Sequence, residues 1–154
     1  MIQERSTRLP RIVNKKARFS YEVLDRLEVG IELQGSEVKS VRAAQVSLDE
    51  AFARIVGREV FLYGCHISPY EQAGKENHDP TRARKLLLHR REIKRLAGKV
   101  REKGQTLVPL SMYFNKRGLA KVDLALVKGK SSYDKRQSIK RREHEREIGR
   151  ALRR

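Results

Sequence analysis

The chain has 154 residues, 36 Lys and Arg against 19 Asp and Glu, and a formal net charge of +17, with a pI near 10.5. That excess of cations is far beyond what solubility requires and points to a polyanionic partner, RNA or DNA. With 38% hydrophobic residues one modest core is affordable; no apolar run approaches the ~18 residues of a membrane span, no signal-peptide core is present, and a lone cysteine, Cys65, excludes an intrachain disulfide framework and suits a reducing cytoplasm.

Three regions separate on composition. Residues Met1 to Val13 are charged and aperiodic and read as a loose, flexible lead. The folded body runs from Asn14 to Val127, and a basic tail from Lys128 to Arg154. Within the body, Tyr21 to Leu33 alternates apolar and polar residues with one slip, as a half-buried, bulged strand does. Gly35 to Arg42 predicts a short helix with Ser36 as N-cap, Val38 and Val41 on one face and Lys39 and Arg42 on another. Ser47-Leu48-Asp49-Glu50 has a capping-box pattern that opens a short turn. Ala51 to Val56 and Glu59 to Tyr63 flank Gly57-Arg58, a hairpin with glycine where positive φ is needed. Arg84 to Leu88 is favoured as extended, leading into a helix from His89 in which Ile93, Leu96 and Val100 recur at helical spacing before Gly104 stops it; the alternative is an earlier start capped at Asp79-Pro80, which makes Leu86 to Leu88 helical. Thr106 to Phe114 and Leu119 to Val127 form a second hairpin around Asn115-Lys116-Arg117-Gly118, and in the latter strand Leu119, Lys121, Asp123 and Ala125 alternate against Ala120, Val122, Leu124 and Leu126. The fold class expected is mainly β with flanking helices: a small antiparallel barrel plus a tail that is disordered, or helical when bound.

The tail holds eleven Lys or Arg and four acids among 27 residues, and only Tyr133, Ile139, Ile148, Ala151 and Leu152 are apolar or aromatic. Such a segment needs a partner surface to order, and polyphosphate is the strongest one available. No catalytic constellation stands out. His66, His78, His89 and His144 are scattered, Cys65-His66 lacks the spaced ligands of a zinc site, and neither a phosphate-binding glycine loop nor a nucleotide fingerprint is present. Cys65 reads as a buried strand cysteine, with a nucleophile as the lesser alternative. Glu28, Glu37 and Asp79 read most readily as ion-pair partners and caps. No enzyme, metal or cofactor is expected.

Five blocks, in order, resemble a known family: Asn14-Lys15-Lys16-Ala17-Arg18; Gly35-Ser36-Glu37-Val38-Lys39-Ser40-Val41-Arg42; His66-Ile67-Ser68-Pro69-Tyr70; Asn77-His78-Asp79-Pro80 followed by Arg84-Lys85-Leu86-Leu87-Leu88-His89; and Tyr133-Asp134-Lys135-Arg136. They are similar to those of the SsrA-binding proteins (small protein B), which bind transfer-messenger RNA, the RNA that rescues ribosomes stalled on messages without stop codons. The resemblance runs from about Val13 to the C-terminus. It implies an oligonucleotide-binding-like antiparallel barrel, a cytoplasmic protein that is a monomer when free, and as partners transfer-messenger RNA and the 70S ribosome. Alanyl-tRNA synthetase and elongation factor Tu with GTP would be met indirectly, through the RNA.

By that resemblance the body grips the tRNA-like domain with Arg18, Tyr21, Glu28, Lys39, Arg42, Arg84, Lys85, Leu87 and His89. The cations would hold phosphates, Glu28 would accept from base or sugar donors or orient a basic neighbour, and Tyr21 and His89 would stack on splayed bases. His89 also suits a helix N-cap, and Leu87 a core position. The tail would enter the decoding centre and the vacant message channel, using Lys130, Tyr133, Asp134, Lys135, Arg136, Lys140, Arg141, Arg142 and Ile148, with Tyr133 stacking on ribosomal RNA. Where members often have Gly-Lys-Lys this chain has Gly129-Lys130-Ser131, one cation fewer. The rival reading is a basic structural protein of the ribosome.

Overall fold

The fold was obtained as a computed structural model, which describes residues 9–102, 104–130 and 132–152; the side chains at positions 132–135, 137 and 138 lie outside it. A six-strand ring forms the body. Its members are β2 (Tyr21–Ile31), β4 (Phe52–Val56), β5 (Glu59–Tyr63), β7 (Arg84–Leu87), β8 (Gln105–Phe114) and β9 (Ala120–Gly129). The order β8-β4-β5-β7-β2-β9 is closed by pairing of β9 with β8, all antiparallel. A two-residue strand β1 (Ile12–Val13) adds to β8, and a small sheet pairs β3 (Val46–Ser47) with β6 (His66–Ile67). Helices α1 (Lys15–Ser20), α2 (Gly35–Arg42), α3 (Arg90–Val100) and α4 (Ser132–Leu152) flank the ring.

The expected slip in the first long strand is real: the pairing of β2 with β9 shifts between Val23 and Asp25. Beyond it Val29 and Ile31 point inward, with Val60, Leu62, Leu86, Leu107, Met112, Val122, Leu124 and Leu126, into one core that Val41 of α2 and Leu96 of α3 seal. Gly57 takes φ +63 in the first hairpin. Gly64 takes φ +70, and a Cβ there would stand 2.3 Å from the Glu50 carbonyl oxygen, so only glycine fits.

Strand β9 was read as alternating, yet Val122 to Val127 are all buried. The inward set is as read. The outward Ala125 and Val127 join Val108, Leu110 and Ala17 in a second, external cluster beneath α1, a helix the sequence did not announce. Asn14 installs that helix. Its side chain accepts from the Ala17 N–H at 3.0 Å as the N-cap and donates to the carbonyls of Leu48 at 3.0 Å and Pro109 at 2.8 Å. Its own N–H reaches the Leu110 carbonyl at 2.8 Å. For α2 the cap is Gln34 and not Ser36: the Glu37 carboxylate accepts from the Gln34 N–H at 2.8 Å, and Ser36 lies inside the first turn. His89 is the residue before α3, and Glu92 closes its cap on the His89 N–H at 2.9 Å.

Replacing Asn14 by Ala removes the cap and strands two buried carbonyls. A loss of about 2–4 kcal/mol is expected in urea unfolding; a change below ~0.5 kcal/mol, the range of an ordinary surface substitution, would mean that α1 is held by other means.

Candidate nucleic-acid interface

A buried carboxylate organises one side of the barrel. Glu37, on α2, has no solvent exposure; Arg84, at the start of β7, has none either. Arg84 Nε and Arg82 Nη2 both donate to the Glu37 carboxylate. The rest of the Arg84 fork donates to backbone oxygens, Cys65 at 2.8 Å, Pro80 at 3.1 Å and Asp79 at 3.4 Å. Burial alone would push the Glu37 carboxyl up, but the bonds from Arg82, the Gln34 amide and Arg84 outweigh it and hold the group below its ordinary value.

The Asn77-His78-Asp79-Pro80 block performs the same kind of work. The Asn77 amide closes the 70–77 loop by accepting from the Tyr70 N–H at 3.0 Å and donating to its carbonyl at 2.7 Å. His78 is buried, with Nε2 2.8 Å from the Ile67 carbonyl oxygen. That contact requires the proton on Nε2, so Nδ1 accepts from the Ser36 hydroxyl at 2.8 Å. Ser40 donates to the Ser68 carbonyl at 2.6 Å. Helix α2 is therefore locked by its inner residues, and Lys39 and Arg42 face outward as expected, Lys39 Nζ 5.3 Å above the Tyr70 ring and the Arg42 guanidinium 5.9 Å above Phe114.

The expected contact residues fall into two groups and one exception. Glu28, Arg42 and Leu87 gather near one end of the barrel. Leu87 is half exposed, not core, and lies across Gly30, its carbons 3.2–3.6 Å from where a Cβ would be. Glu28 accepts from the Tyr113 hydroxyl, whose ring carries Arg11 at 4.5 Å from its centre. Burial and that bond push the Tyr113 phenol up to about 12. Tyr113, Lys121, Gly30 and Leu87 stand in one cross-strand row. Arg11, Tyr113 and Lys121 thus join this face unannounced, although the parity of the 119–127 segment already put Lys121 outward. Lys85 is nearby, paired with Glu59 at 3.2 Å, and His89 is exposed at the head of α3.

Arg18 and Tyr21 form the second group, roughly 20 Å along β2 from Glu28 at ~3.3 Å per residue. The exception is Arg84. Expected to hold phosphate, it is interior, and all its visible work is to fix the 79–84 loop against α2.

The basic tail forms the continuous helix α4, the helical form the sequence allowed for it. Arg141 and Glu145, Glu143 and Arg146, and Glu147 and Arg150 stand at helical spacing that favours this. Among the described residues its seat on the body is slight. The Arg142 guanidinium lies 5.5 Å over the Phe19 ring. Lys130 donates through Nζ to the Arg18 carbonyl and through its backbone N–H to that of Ser20, both at 3.1 Å. Between helix and body is an open cleft of about 680 Å³, with Lys15 and Arg18 on one wall and Arg142, Arg146 and Arg150 beside a single acid, Glu145, on the other. Arg136, Lys140, Arg141 and Ile148 are exposed, Ile148 at 47%. The side chains of Tyr133, Asp134 and Lys135 lie outside the described residues.

Cys65 is buried, and burial pushes its thiol up to about 11, the opposite of what a nucleophile needs. Among the described residues no group of His, Cys, Asp and Glu is placed to hold a metal ion, and no helix is long and apolar enough to cross a membrane.

The SmpB protein family model matches residues 11–154, through both barrel and tail. The chain belongs to the SmpB family. The SsrA-binding protein of Symbiobacterium thermophilum is 60% identical over 140 residues, 91% of this chain and 89% of the relative. That of Moorella thermoacetica is 56% identical over 91% and 90%, and that of Chloroflexus aggregans 59% over 92% and 89%. A solved chain from work described as "tmRNA-SmpB: a journey to the center of the bacterial ribosome" is 48% identical, with TM-score 0.70 over 84% of this chain and 94% of that one.

Changing Glu37 to Gln leaves a buried guanidinium without its carboxylate, and a loss of about 3–5 kcal/mol is expected in urea unfolding. Because the folded carboxyl titrates below 4.5, its contribution is complete above that pH and disappears as pH falls through the lower folded value. The acid limb of the stability profile should therefore be flatter in E37Q. Superimposable acid limbs would mean that Glu37 is not the titrating support.

Proposed function

We propose that this SmpB family member binds transfer-messenger RNA and delivers it to stalled ribosomes in the cytoplasm for trans-translation, the barrel gripping the tRNA-like domain and the tail entering the decoding centre and the vacant message channel. The observation that carries this is the extent of the family match: it spans the closed barrel and the basic helix together, so both working parts are of one lineage.

Physical detail supports the division. On the body, Lys39 and Arg42 are exposed cations whose orientation is set by rings beneath them, and Arg18, Tyr21, Glu28, Lys85, Leu87 and His89 are all at least partly accessible. Phosphate contacts from such groups position an RNA without reading its sequence, while Tyr21, Leu87 and His89 offer flat or apolar surface to an unstacked base. Arg84 contributes by holding the 79–84 loop and α2, not by contact.

On the tail, like charges face each other across the α1–α4 cleft, so docking there is weak and exchange for a ribosomal RNA surface costs little. Helix α4 carries its cations in an ordered array, and the more of that order exists before binding, the smaller the entropy that binding must overcome. A channel filled by message excludes the helix sterically and an empty one admits it. Specificity for stalled ribosomes then comes from vacancy.

Strand β9 runs to Gly129, where it pairs with Tyr21, and Lys130 is bonded to α1. The informative truncation is therefore after Lys130, since a cut after Val127 would unpair the start of β2. A chain ending at Lys130 is expected to retain its affinity for transfer-messenger RNA in a filter-binding assay and to lose alanine tagging in a reconstituted translation system. Normal tagging by the shortened chain contradicts the role of the tail; loss of RNA binding contradicts the division into grip and probe.

A further inference from the structure

Three aromatic rings on the β4–β5 hairpin point away from the core. Phe52 and Tyr63 are directly opposite in register and stacked, their centres 5.6 Å apart and planes 24° apart. Phe61 continues the row at 6.5 Å from Tyr63. All three are half-buried, while Ala53, Val60 and Leu62 between them fill the barrel interior. Phe52 leans on the cluster beneath α1, but Phe61 and Tyr63 belong to neither core cluster. Part of each ring stays open to solvent.

Cations flank the row. The Arg54 guanidinium sits 5.5 Å over the Phe52 ring, Arg54 is the register partner of Phe61 on one side, and Lys85 is its partner on the other. Lys85 shares its charge with Glu59. At the Phe52 end the row opens into a cleft of about 440 Å³ whose walls include Lys16, Tyr21, Arg54 and Thr106 and also the acids Asp49 and Glu50, Glu50 paired to Lys16. A run of flat rings bordered by guanidinium and ammonium groups is what successive unpaired bases and their phosphates fit; stacking accepts any base. A protein partner would bury the rings equally well, but in a chain of +17 the flanking cations favour a polyanion. Around the ring of strands, β4–β5 lies across from β2–β9, so these rings face away from Glu28 on β2.

We propose that the outer face of β4–β5 is a second RNA-contact surface, on which Phe52, Tyr63 and Phe61 stack the bases of an unpaired strand and Arg54 follows its phosphates. This rests on the RNA-binding reading above and adds a site to it. The test titrates the full chain with a 2-aminopurine-labelled oligoadenylate of about ten nucleotides, at ~0.3 M salt to weaken the phosphate contribution. The comparison is with a Phe61→Leu, Tyr63→Leu double variant that keeps apolar area but not stacking. Quenched fluorescence in the parent, affinity lower by about tenfold or more in the variant, and unchanged binding of the isolated tRNA-like domain support the proposal. Equal oligoadenylate affinity for both proteins overturns it and leaves the rings to a protein partner. Failure of the parent itself to bind the tRNA-like domain would sink the functional reading instead. If the variant loses both ligands, a 4-thiouridine oligonucleotide crosslinked to the parent chain decides: adducts within residues 52–63 support the site, and adducts only elsewhere overturn it.

Discussion

A carboxylate shut away from water and shared by two arginines is the constraint on which this protein's working surface depends. Glu37 has no exposure, and an ion so placed is tolerable only when its partners are close and its oxygens are otherwise satisfied. Arg82, Arg84 and the Gln34 amide meet that condition. The same bonds join helix α2, the 79–84 loop and strand β7, and Arg84 carries the tie onward to the Cys65 carbonyl at the end of β5. Four pieces of chain are thereby held in one orientation by a single charge.

What this holds in place is a set of cations. Lys39 and Arg42 leave the opposite side of α2 from Glu37 and lie over Tyr70 and Phe114; Leu87 and His89 follow Arg84 along the chain. On the proposed reading positioning and contact are divided between adjacent residues of one motif, and a residue's charge does not reveal which part it plays. The tail is built on the contrary principle. Among the described residues its helix has almost no apolar seat and faces cations of its own sign across the cleft.

The barrel was legible in the sequence because its signals are local. Alternation over Tyr21 to Leu33, the Gly57 hairpin, the turn at Asn115 to Gly118 and the Ile93, Leu96, Val100 spacing each depend on residues close together in the chain. What was missed is set by distant partners. Helix α1 has six residues and one buried side chain, and it exists because Asn14 reaches carbonyls 34 and 95 positions away. Alternation in β9 gave the inward face correctly but not the cover over Ala125 and Val127. Of the site, the exposed α2 row was readable from three-residue spacing. Arg84 was not, because an arginine in an extended basic stretch looks the same whether its acid is in solvent or, as here, 47 residues earlier and interior. Glu37 was rightly taken as an ion-pair partner; which cation it would claim was beyond local pattern.

The separation of positioning from contact is tested most directly by a structure of the chain bound to the tRNA-like domain of transfer-messenger RNA, at a resolution that shows guanidinium orientation. Arg84 should remain on Glu37 with no RNA atom in hydrogen-bonding reach, while Lys39 and Arg42 lie against phosphate or base. Arg84 found swung outward onto a phosphate, with Glu37 paired to Arg82 alone, would contradict the account.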